Sequence, residues 1–500
     1  MHRSLADFLD ELGHAGELVR VEAEVDPCLE AAEITARVAR SGGPALLFTN
    51  LKGCHAPLLT NLLGTEARIC RALGVDSLAE AADRAGRLAA ASAADGWFQR
   101  WRAGSQPTAL AQVLPRQVKS AACQQIVRLG SDVDLGQLPL VQSAPGEAGR
   151  VVTAGVTVTA EPDSHRPIAG RFDLQLLARD RLAVCWAAHD EPARLLVQCR
   201  QRGEKLPVAV MLGGDPAVLL AASARLSPAV DCLALAGLLR DKPLDAVACR
   251  TVDLSVAAES DIVIEGYVNP AEPPVEAGPR SAPLGRYTLP CTAPILHVTA
   301  LTHRANPIYP AMVHLAMPGE ASQVDAALTR IVLPLAKSAI PELLDYDLPQ
   351  LAAARLWAVL SIDKTYAGQA RRVASTAWGM PQFMLAKMLI VVDRGVDVRE
   401  PGQVQRAVAA NVHPGRDVFF QAGPPDPLDP AALPGTLGQR MAIDATEKLP
   451  QEHAGPWPAA AEMSPAVRQL VSDRWPQYGL GPEPPPRTLA TDAPGKNTDI

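Results

Sequence analysis

The sequence predicts a mixed α/β (α+β) multidomain protein. Its 500 residues are 48% hydrophobic with a mean hydropathy of +0.05, which is enough apolar material for roughly two to four packed domains. Helical and strand-like spacings alternate near the N-terminus, whereas from Val151 apolar residues recur at every second position. We expect an N-terminal α/β domain (1–120), a central β-rich domain (121–320), a C-terminal α/β domain (321–450), a helical segment (451–480) and a disordered tail (481–500).

The first domain is predicted from its βα alternation. Apolar residues from Leu5 to Leu12 fall on one helical face after Ser4, a good N-cap residue. Alternation over Val19–Val25 predicts a half-buried strand, and residues about 80–120 have a helical composition typical of a boundary. The other expected elements are a helix at Leu29–Ser41 and a buried strand at Ala45–Phe48.

The remaining elements follow from the same two periodicities. Ser464 and Pro465 mark the start of a last helix, since Pro is favoured at the first helical position. We expect strands at Val152–Val158, Leu182–Trp186, Ile262–Tyr267, Trp357–Ile362 and Met388–Asp393, another through Ile295 and Val298, and helices near Pro228–Arg240, Gln323–Ser338 and Thr365–Gly379.

Composition and charge exclude several functional classes. The net charge of −7 and pI of about 5.9 give no broad attraction for nucleic acid or anionic membranes. The nine cysteines are odd in number and contain no CxxC pair, which favours reduced thiols over disulfides or a zinc site. The N-terminus has no apolar signal region and the chain has no run of 18 apolar residues, so we expect a cytoplasmic protein without a membrane span.

Generic catalytic motifs are absent from the sequence. It contains no GxGxxG after a strand, no GxxxxGK[ST], no GxSxG and no HExxH. His189 and His314 are candidate metal ligands, although an ordinary surface or core role is more common for a histidine. The residues taken by themselves therefore leave the chemistry open.

Longer strings, taken in order, resemble the UbiD family of carboxy-lyases over about residues 1–450. Each is weak alone, but their joint order is specific. They are GGPALLF (42–48), CQQ (123–125), DVDL (132–135), GGDP (213–216), AGLLR (236–240), IEGY (264–267), KTYAGQA (364–370) and MAIDAT (441–446).

The resemblance implies an architecture and a chemistry. UbiD-like proteins have an N-terminal α/β domain, a central split β-barrel of the flavin-reductase type, and a C-terminal α/β domain with an oligomerisation helix. They typically bind prenylated FMN with a divalent metal, often Mn²⁺, and K⁺. They decarboxylate, or reversibly carboxylate, aromatic and α,β-unsaturated acids, with an Arg and two carboxylates binding the substrate and moving protons.

The catalytic positions implied by the resemblance are altered here. Ile168 stands where the family has a metal-ligating Asn, and its side chain offers no oxygen to a hard cation. Asp173 replaces the catalytic Arg, a reversal of charge, and Arg171 lies two positions away, where it partly substitutes if both extend from one strand face. The resemblance assigns cofactor contacts to Phe172 and Trp186, although a core aromatic role explains Trp186 equally well.

The other ligand and acid positions are also mixed. His189 matches a family His that can bind the metal. Cys232 stands where the family has a ligating Glu, and a role as a small buried apolar residue explains it equally well. In the acid loop Ala282 replaces one carboxylate, and Glu276 supplies the other only if one residue is inserted. Arg280 adds a cation to this loop, and Arg440 takes the place of a lysine that binds the cofactor phosphate.

Two functional hypotheses follow. The first is a divergent UbiD-like carboxy-lyase for an aromatic or α,β-unsaturated acid, with Arg171, Asp173 and Glu276 in a rewired site. The second is a cofactor-free, non-catalytic subunit or repurposed paralogue that partners an active UbiD-type chain. A homo-oligomer or a hetero-oligomer with another UbiD-like subunit is expected from the resemblance.

Overall fold

The computed structural model describes residues 2, 4–94, 112–228, 230–282, 284–315, 318–349, 355–432, 437–453, 455, 457–458, 461 and 463–482. Within this part of the chain, thirteen α-helices and twenty-five strands form a mixed α/β fold. The helices are α1 Leu5–His14, α2 Glu30–Arg40, α3 Glu66–Leu73, α4 Leu78–Ala94, α5 Glu191–Arg202, α6 Pro216–Ser223, α7 Cys232–Leu239, α8 Glu320–Ile331, α9 Leu333–Ala339, α10 Gln369–Trp378, α11 Pro401–Asn411, α12 Pro414–Asp417 and α13 Pro465–Arg474.

The strands are numbered in chain order. They are β1 Leu18–Val21, β2 Ala45–Phe48, β3 Leu58–Thr60, β4 Arg116–Val118, β5 Ile126–Leu129, β6 Val151–Val152, β7 Val156–Ala160, β8 Pro167–Arg171, β9 Leu174–Ala178, β10 Arg181–Val184, β11 Leu206–Leu212, β12 Asp245–Ala248, β13 Ser255–Ala257, β14 Ile262–Val268, β15 Val275–Ala277, β16 Ser281–Ala282, β17 Arg286–Tyr287, β18 Cys291–Ala293, β19 Ile295–His303, β20 Tyr309–Ala311, β21 Leu343–Asp347, β22 Trp357–Ile362, β23 Met388–Asp393, β24 Val418–Gly423 and β25 Gly438–Asp444.

The N-terminal sheet combines local strands with one distant strand. Its order is β1-β2-β3-β20, so that Tyr309–Ala311 joins strands from the first 60 residues. Helix α1 begins as expected, because the Ser4 hydroxyl accepts a hydrogen bond from the Asp7 amide. Strand β1 ends at Val21 rather than at Val25, which forms only an isolated bridge with Leu51.

The central sheet has nine strands. Eight lie in the order β6-β9-β10-β19-β14-β11-β7-β8, β5 pairs with β19, and the described pairings are antiparallel. Consecutive side chains enter different cores: Val208, Val210 and Leu212 pack on one face, and Ala209 and Met211 on the other. The sheet is a half-barrel; closure into the expected flavin-reductase-like split barrel is not confirmed.

The C-terminal segment is α/β, as its sequence predicts. Its sheet has the order β21-β22-β23-β25-β24, with parallel pairing of β22, β23 and β25. Helix α10 packs on this sheet through Ala370, Val373 and Ala377. Connections through helices are what parallel strands require.

Several predicted boundaries are wrong for local reasons. The helical region expected over 80–120 ends within the described residues at Ala94, and β4 occupies Arg116–Val118. The helix expected at Thr365–Gly379 begins only at Gln369, after Gly368 with its left-handed φ of 80°. The helix expected at Gln323–Ser338 is two helices joined at Val332, since Pro334 supplies no amide hydrogen.

The structure also bears on two other predicted helices and on the predicted C-terminal tail. The helix expected near Pro228–Arg240 starts at Cys232, after Asp231 caps it by accepting from the Ala234 amide. The expected last helix is present as Pro465–Arg474 behind Ser464. The tail expected to be disordered lies outside the described residues from residue 483 onward.

One buried carboxyl group connects the N-terminal segment to α8. Glu320 Oε1 accepts the Leu63 amide hydrogen at 2.8 Å, and the residue is 5% exposed. Burial raises the pKa of Glu320 to about 7, although the Leu63 amide and Arg68 oppose that rise. The folded protein therefore favours the protonated Glu320 carboxyl group. The free energy of unfolding falls as pH rises from the pKa of this group in the unfolded chain through its folded value of about 7.

We predict that Glu320→Gln stabilises the protein at about pH 8.5 by about 2 kcal/mol and has little effect at about pH 4.5. The amide keeps an acceptor for Leu63 and removes the cost of a buried charge. Urea unfolding at the two pH values measures this difference, with Glu66→Gln on the exposed face as control. A stability gain of the same size at both pH values would contradict the assignment.

Candidate active site

A cavity of about 390 Å³ lies between the central sheet and the C-terminal segment. The end of β8 forms one wall with Ile168 and Arg171, and the loop after Met380 closes the opposite side with Pro381 and Met384. Such a volume lies within the usual range of small-molecule sites. Both charged and apolar side chains line the cavity, so it suits an amphipathic acid.

The charged centre of the cavity is Asp173, which follows directly after β8. His314 Nε2 lies 3.8 Å from Asp173 Oδ1, and Arg280 Nη1 lies 4.0 Å from Asp173 Oδ2. Burial alone would raise the pKa of Asp173, but His314, Arg280 and Arg171 together hold that pKa well below its usual range. Asp173 is thus an anion whose charge is compensated by neighbouring cationic groups.

Arg280 and His314 retain unused hydrogen-bonding capacity. Among the residues that the structure describes, the two ring nitrogens of His314 and Nη1 of Arg280 are buried without a hydrogen-bond partner. Both side chains are 11% exposed. Because buried donors normally find acceptors, these groups are suited to bind an oxygen-bearing ligand.

Arg171 and Phe172 reach the cavity from the same turn of chain. Arg171 Nη1 donates to the Thr153 carbonyl oxygen at 3.3 Å, which fixes the guanidinium near the end of β8. Phe172 lines the cavity, and Trp186 packs edge-to-face behind it with ring centroids 6.5 Å apart. Trp186 is 8% exposed and supports Phe172 from the core rather than lining the cavity.

The three positions matching metal ligands also line the cavity, but their chemistry differs. Ile168 is buried and apolar. The Cys232 Sγ donates to the Val218 carbonyl oxygen at 3.8 Å, and burial followed by the Asp231 charge raises the thiol pKa. Burial lowers the pKa of His189, which favours a neutral imidazole. No group of three or more His, Cys, Asp or Glu side chains suited to a metal occurs in the described part of the chain.

A second charged group, missed in the sequence, comes from distant segments. Asp325 pairs with Arg355 through Oδ2 and Nε at 3.2 Å, and burial raises the Asp325 pKa to about 6. Arg225 lies across the cavity beside the buried Asp426. No local motif marks these four residues, because each is brought to the cavity only by packing of the C-terminal segment on the central one.

Two predicted site residues lie elsewhere. Glu276 is exposed on β15, opposite in direction to its buried neighbour Ala277, and does not line the cavity. Arg440 Nη1 donates to the Met384 carbonyl oxygen at 3.0 Å, and its guanidinium lies over the Trp378 ring. Arg440 therefore stands behind the cavity wall, and the buried Ala282 supplies no proton-transfer group.

The comparisons with known proteins agree with this architecture. Models of the 3-octaprenyl-4-hydroxybenzoate carboxy-lyase N-terminal, Rift-related and C-terminal domains match residues 9–88, 116–317 and 322–445. A protein of Synechocystis sp. (strain ATCC 27184 / PCC 6803 / Kazusa) is 38% identical over 486 residues, which cover 96% of this chain and 97% of the relative.

Two solved structures are similar over nearly the whole chain. Sedimentibacter hydroxybenzoicus vanillic acid decarboxylase in closed form is 27% identical, with a TM-score of 0.84 over 96% of this chain and 99% of that one. HmfF from Pelotomaculum thermopropionicum, a UbiD-class enzyme in complex with prenylated FMN in an evolved dimeric form, is 27% identical, with a TM-score of 0.72 over 94% and 100%.

The fold, its central cavity and these matches define a carboxy-lyase-type scaffold of three successive segments. The chain belongs to the UbiD family. Two open forms of the vanillic acid decarboxylase match this chain with TM-scores of 0.75 and 0.72. No described helix has the length and apolar character needed to cross a membrane.

We predict that the double variant Ile168→Asn/Cys232→Glu gains Mn²⁺ binding, because it adds two oxygen ligands beside His189. Equilibrium dialysis should show about one Mn²⁺ per chain for the double variant and a much weaker signal for each single variant. Adding His189→Ala to the double variant should remove the gain. Equal binding by the unmodified chain would contradict our interpretation of the substituted positions.

Proposed function

We propose that the chain is a metal-independent UbiD-class carboxy-lyase that acts on an aromatic or α,β-unsaturated carboxylic acid. The observation that carries this proposal is the half-buried trio of Asp173, Arg280 and His314 on the cavity wall. It combines a cation for a substrate carboxylate with an imidazole for proton transfer. The trio replaces an arrangement that the resemblance implies but the sequence lacks.

Arg280 is the proposed carboxylate-binding residue. Its buried Nη1 has no hydrogen-bond partner within the described part of the chain, and the side chain lies on the cavity wall. A planar guanidinium binds a carboxylate through two parallel hydrogen bonds, which orients the bond to be broken. Asp173, at 4.0 Å, balances the charge of Arg280 while the cavity is empty of an anion.

His314 is the proposed proton donor. When the C–C bond to the carboxylate breaks, CO₂ leaves and the electron pair remains on the substrate carbon, which must then take a proton. His314 Nε2 lies 3.8 Å from the Asp173 carboxylate, which orients the ring so that an imidazolium here delivers that proton. Solvent at the cavity mouth then restores the proton to the imidazole.

The residues present suit a flavin phosphate better than a divalent metal. Ile168 and the protonated Cys232 do not form a hard-cation site. Arg171 and Arg225, which both line the cavity, would instead hold the phosphate of prenylated FMN. When bound, prenylated FMN supplies an electron sink for the electrons left by departing CO₂.

A second candidate function is a cofactor-free subunit that partners an active UbiD-type chain. The loss of oxygen ligands at positions 168 and 232 favours it. The vanillic acid decarboxylase to which this chain is similar is named as a complex that includes ShVdcD.

We propose that oligomerisation uses the helix Pro465–Arg474, where Val467, Leu470 and Val471 are 38%, 51% and 36% exposed.

The two candidates differ in colour and activity. Protein co-produced with a flavin prenyltransferase should carry a flavin absorbance in the visible range and release CO₂ from a member of a hydroxybenzoate and cinnamate panel. A colourless protein that releases no CO₂ and co-purifies with a second UbiD-like chain would favour the subunit role.

We predict that Arg280→Gln weakens binding of benzoate, used as a carboxylate probe, by about thirtyfold. Isothermal titration calorimetry measures the change, and Arg286→Gln, which alters an exposed arginine on β17, should bind as the parent does. The double variant Asp173→Asn/Arg280→Gln keeps the site charge-balanced, and it should fold and also bind weakly. Unchanged affinity in both Arg280 variants would contradict the proposal.

A further inference from the structure

Two cysteines meet at the wall of the cavity. Cys185 follows β10 and lines the cavity with Arg280. Cys291 begins β18, where its Cα pairs with that of Ala277 in the ladder with β15. Cys185 packs against the small core of Ala183, Ala277 and Ala293, which brings it to the strand that carries Cys291.

The two thiols interact directly and differ in environment. Cys291 lies opposite Ala277 and two residues before Ala293, so it shares the strand face whose alanines Cys185 packs against. Cys291 is exposed to solvent, whereas Cys185 is half-buried. The Cys291 sulfur is therefore accessible to a reagent, and the Cys185 sulfur is less accessible.

The local charges favour a reactive thiolate at Cys291. Its interaction with Cys185, assisted by the positive charge of Arg280, lowers the pKa of Cys291. The hydrogen bond to Cys291 and burial raise the pKa of Cys185. This is the usual asymmetry of an attacking and a resolving cysteine.

The other seven cysteines lack this combination. Burial raises the pKa of each of them, which keeps their thiols protonated and slow to react. They are Cys28, Cys54, Cys70, Cys123, Cys199, Cys232 and Cys249.

We propose that Cys185 and Cys291 are a redox-active dithiol that closes to a disulfide by exchange with a small disulfide such as oxidised glutathione. The Cys291 thiolate attacks one sulfur of the reagent, and the S–S bond breaks with its electron pair leaving on the other sulfur as a thiolate, which takes a proton from solvent. Cys185 loses its proton to solvent and attacks the Cys291 sulfur, which breaks the mixed disulfide and releases a second thiolate that solvent also protonates. In total, one reagent disulfide and two protein thiols become one protein disulfide and two reagent thiols.

The site lies where it affects Arg280. Closure of the disulfide removes a thiolate beside this guanidinium and leaves Asp173 and Glu147 as its acidic neighbours. Oxidation should therefore tighten benzoate binding. This consequence rests on the proposed role of Arg280, whereas formation of the disulfide does not.

Peptide mapping after treatment with oxidised glutathione tests the dithiol directly. The parent chain should give a Cys185–Cys291 cross-linked peptide that dithiothreitol reverses. Cys185→Ser should stop at a glutathione adduct on Cys291, and Cys291→Ser should lose thiols about tenfold more slowly. Cys54→Ser serves as the control and should behave as the parent does.

Two results would overturn the inference. One is a stable glutathione adduct on Cys291 of the parent with Cys185 still free. The other is a first disulfide between Cys28 and Cys54 or between Cys123 and Cys249. Benzoate titration of the reduced and oxidised parent is a separate readout: unchanged affinity with a mapped Cys185–Cys291 disulfide would refute only its coupling to Arg280.

Discussion

The structure depends on a central sheet that is buried on both faces. Strands such as Leu206–Leu212 send alternate side chains into two different cores, so neither face can be left to water. Helices from the N-terminal segment, together with α6, α7 and α8, cover one face, and α5 with the segment around Leu135–Val141 covers the other. Covering both faces brings segments from the whole first two-thirds of the chain together. The cavity forms where this layered body meets the C-terminal segment.

Within that cavity, Asp173 can remain ionised only because Arg280, Arg171 and His314 lie near it. A buried carboxylate without partners would either take a proton or destabilise the fold. His314 and Arg280 supply the compensation, and both come from segments more than a hundred residues later in the chain. Asp173 is accompanied by Arg280, in the loop between β15 and β16, and by His314 after β20. The chemistry of the cavity is therefore better interpreted from these three residues together than from any one of them.

The sequence located much of this site. Arg171, Phe172, Asp173 and His189 were assigned to it, and all four line the cavity. Glu276 was assigned to it as well but is exposed, because strand alternation turns its side chain away from buried Ala277. The sequence singles out His314 as a candidate metal ligand, but nothing within its own segment indicates a partner at position 173.

The sequence by itself determined the mixed α/β character, most strands and helices, and membership of the UbiD family, because periodicity and ordered strings are local properties of the chain. It also shows that Ile168 and Cys232 offer no side-chain oxygen to a metal ion. Only the tertiary structure decided that β20 completes the N-terminal sheet, that Arg280 and His314 lie 4.0 Å and 3.8 Å from Asp173, and that Cys185 packs toward the strand that carries Cys291. Each of these depends on contacts between residues far apart in the chain, whose distances are set by packing and not by local sequence pattern.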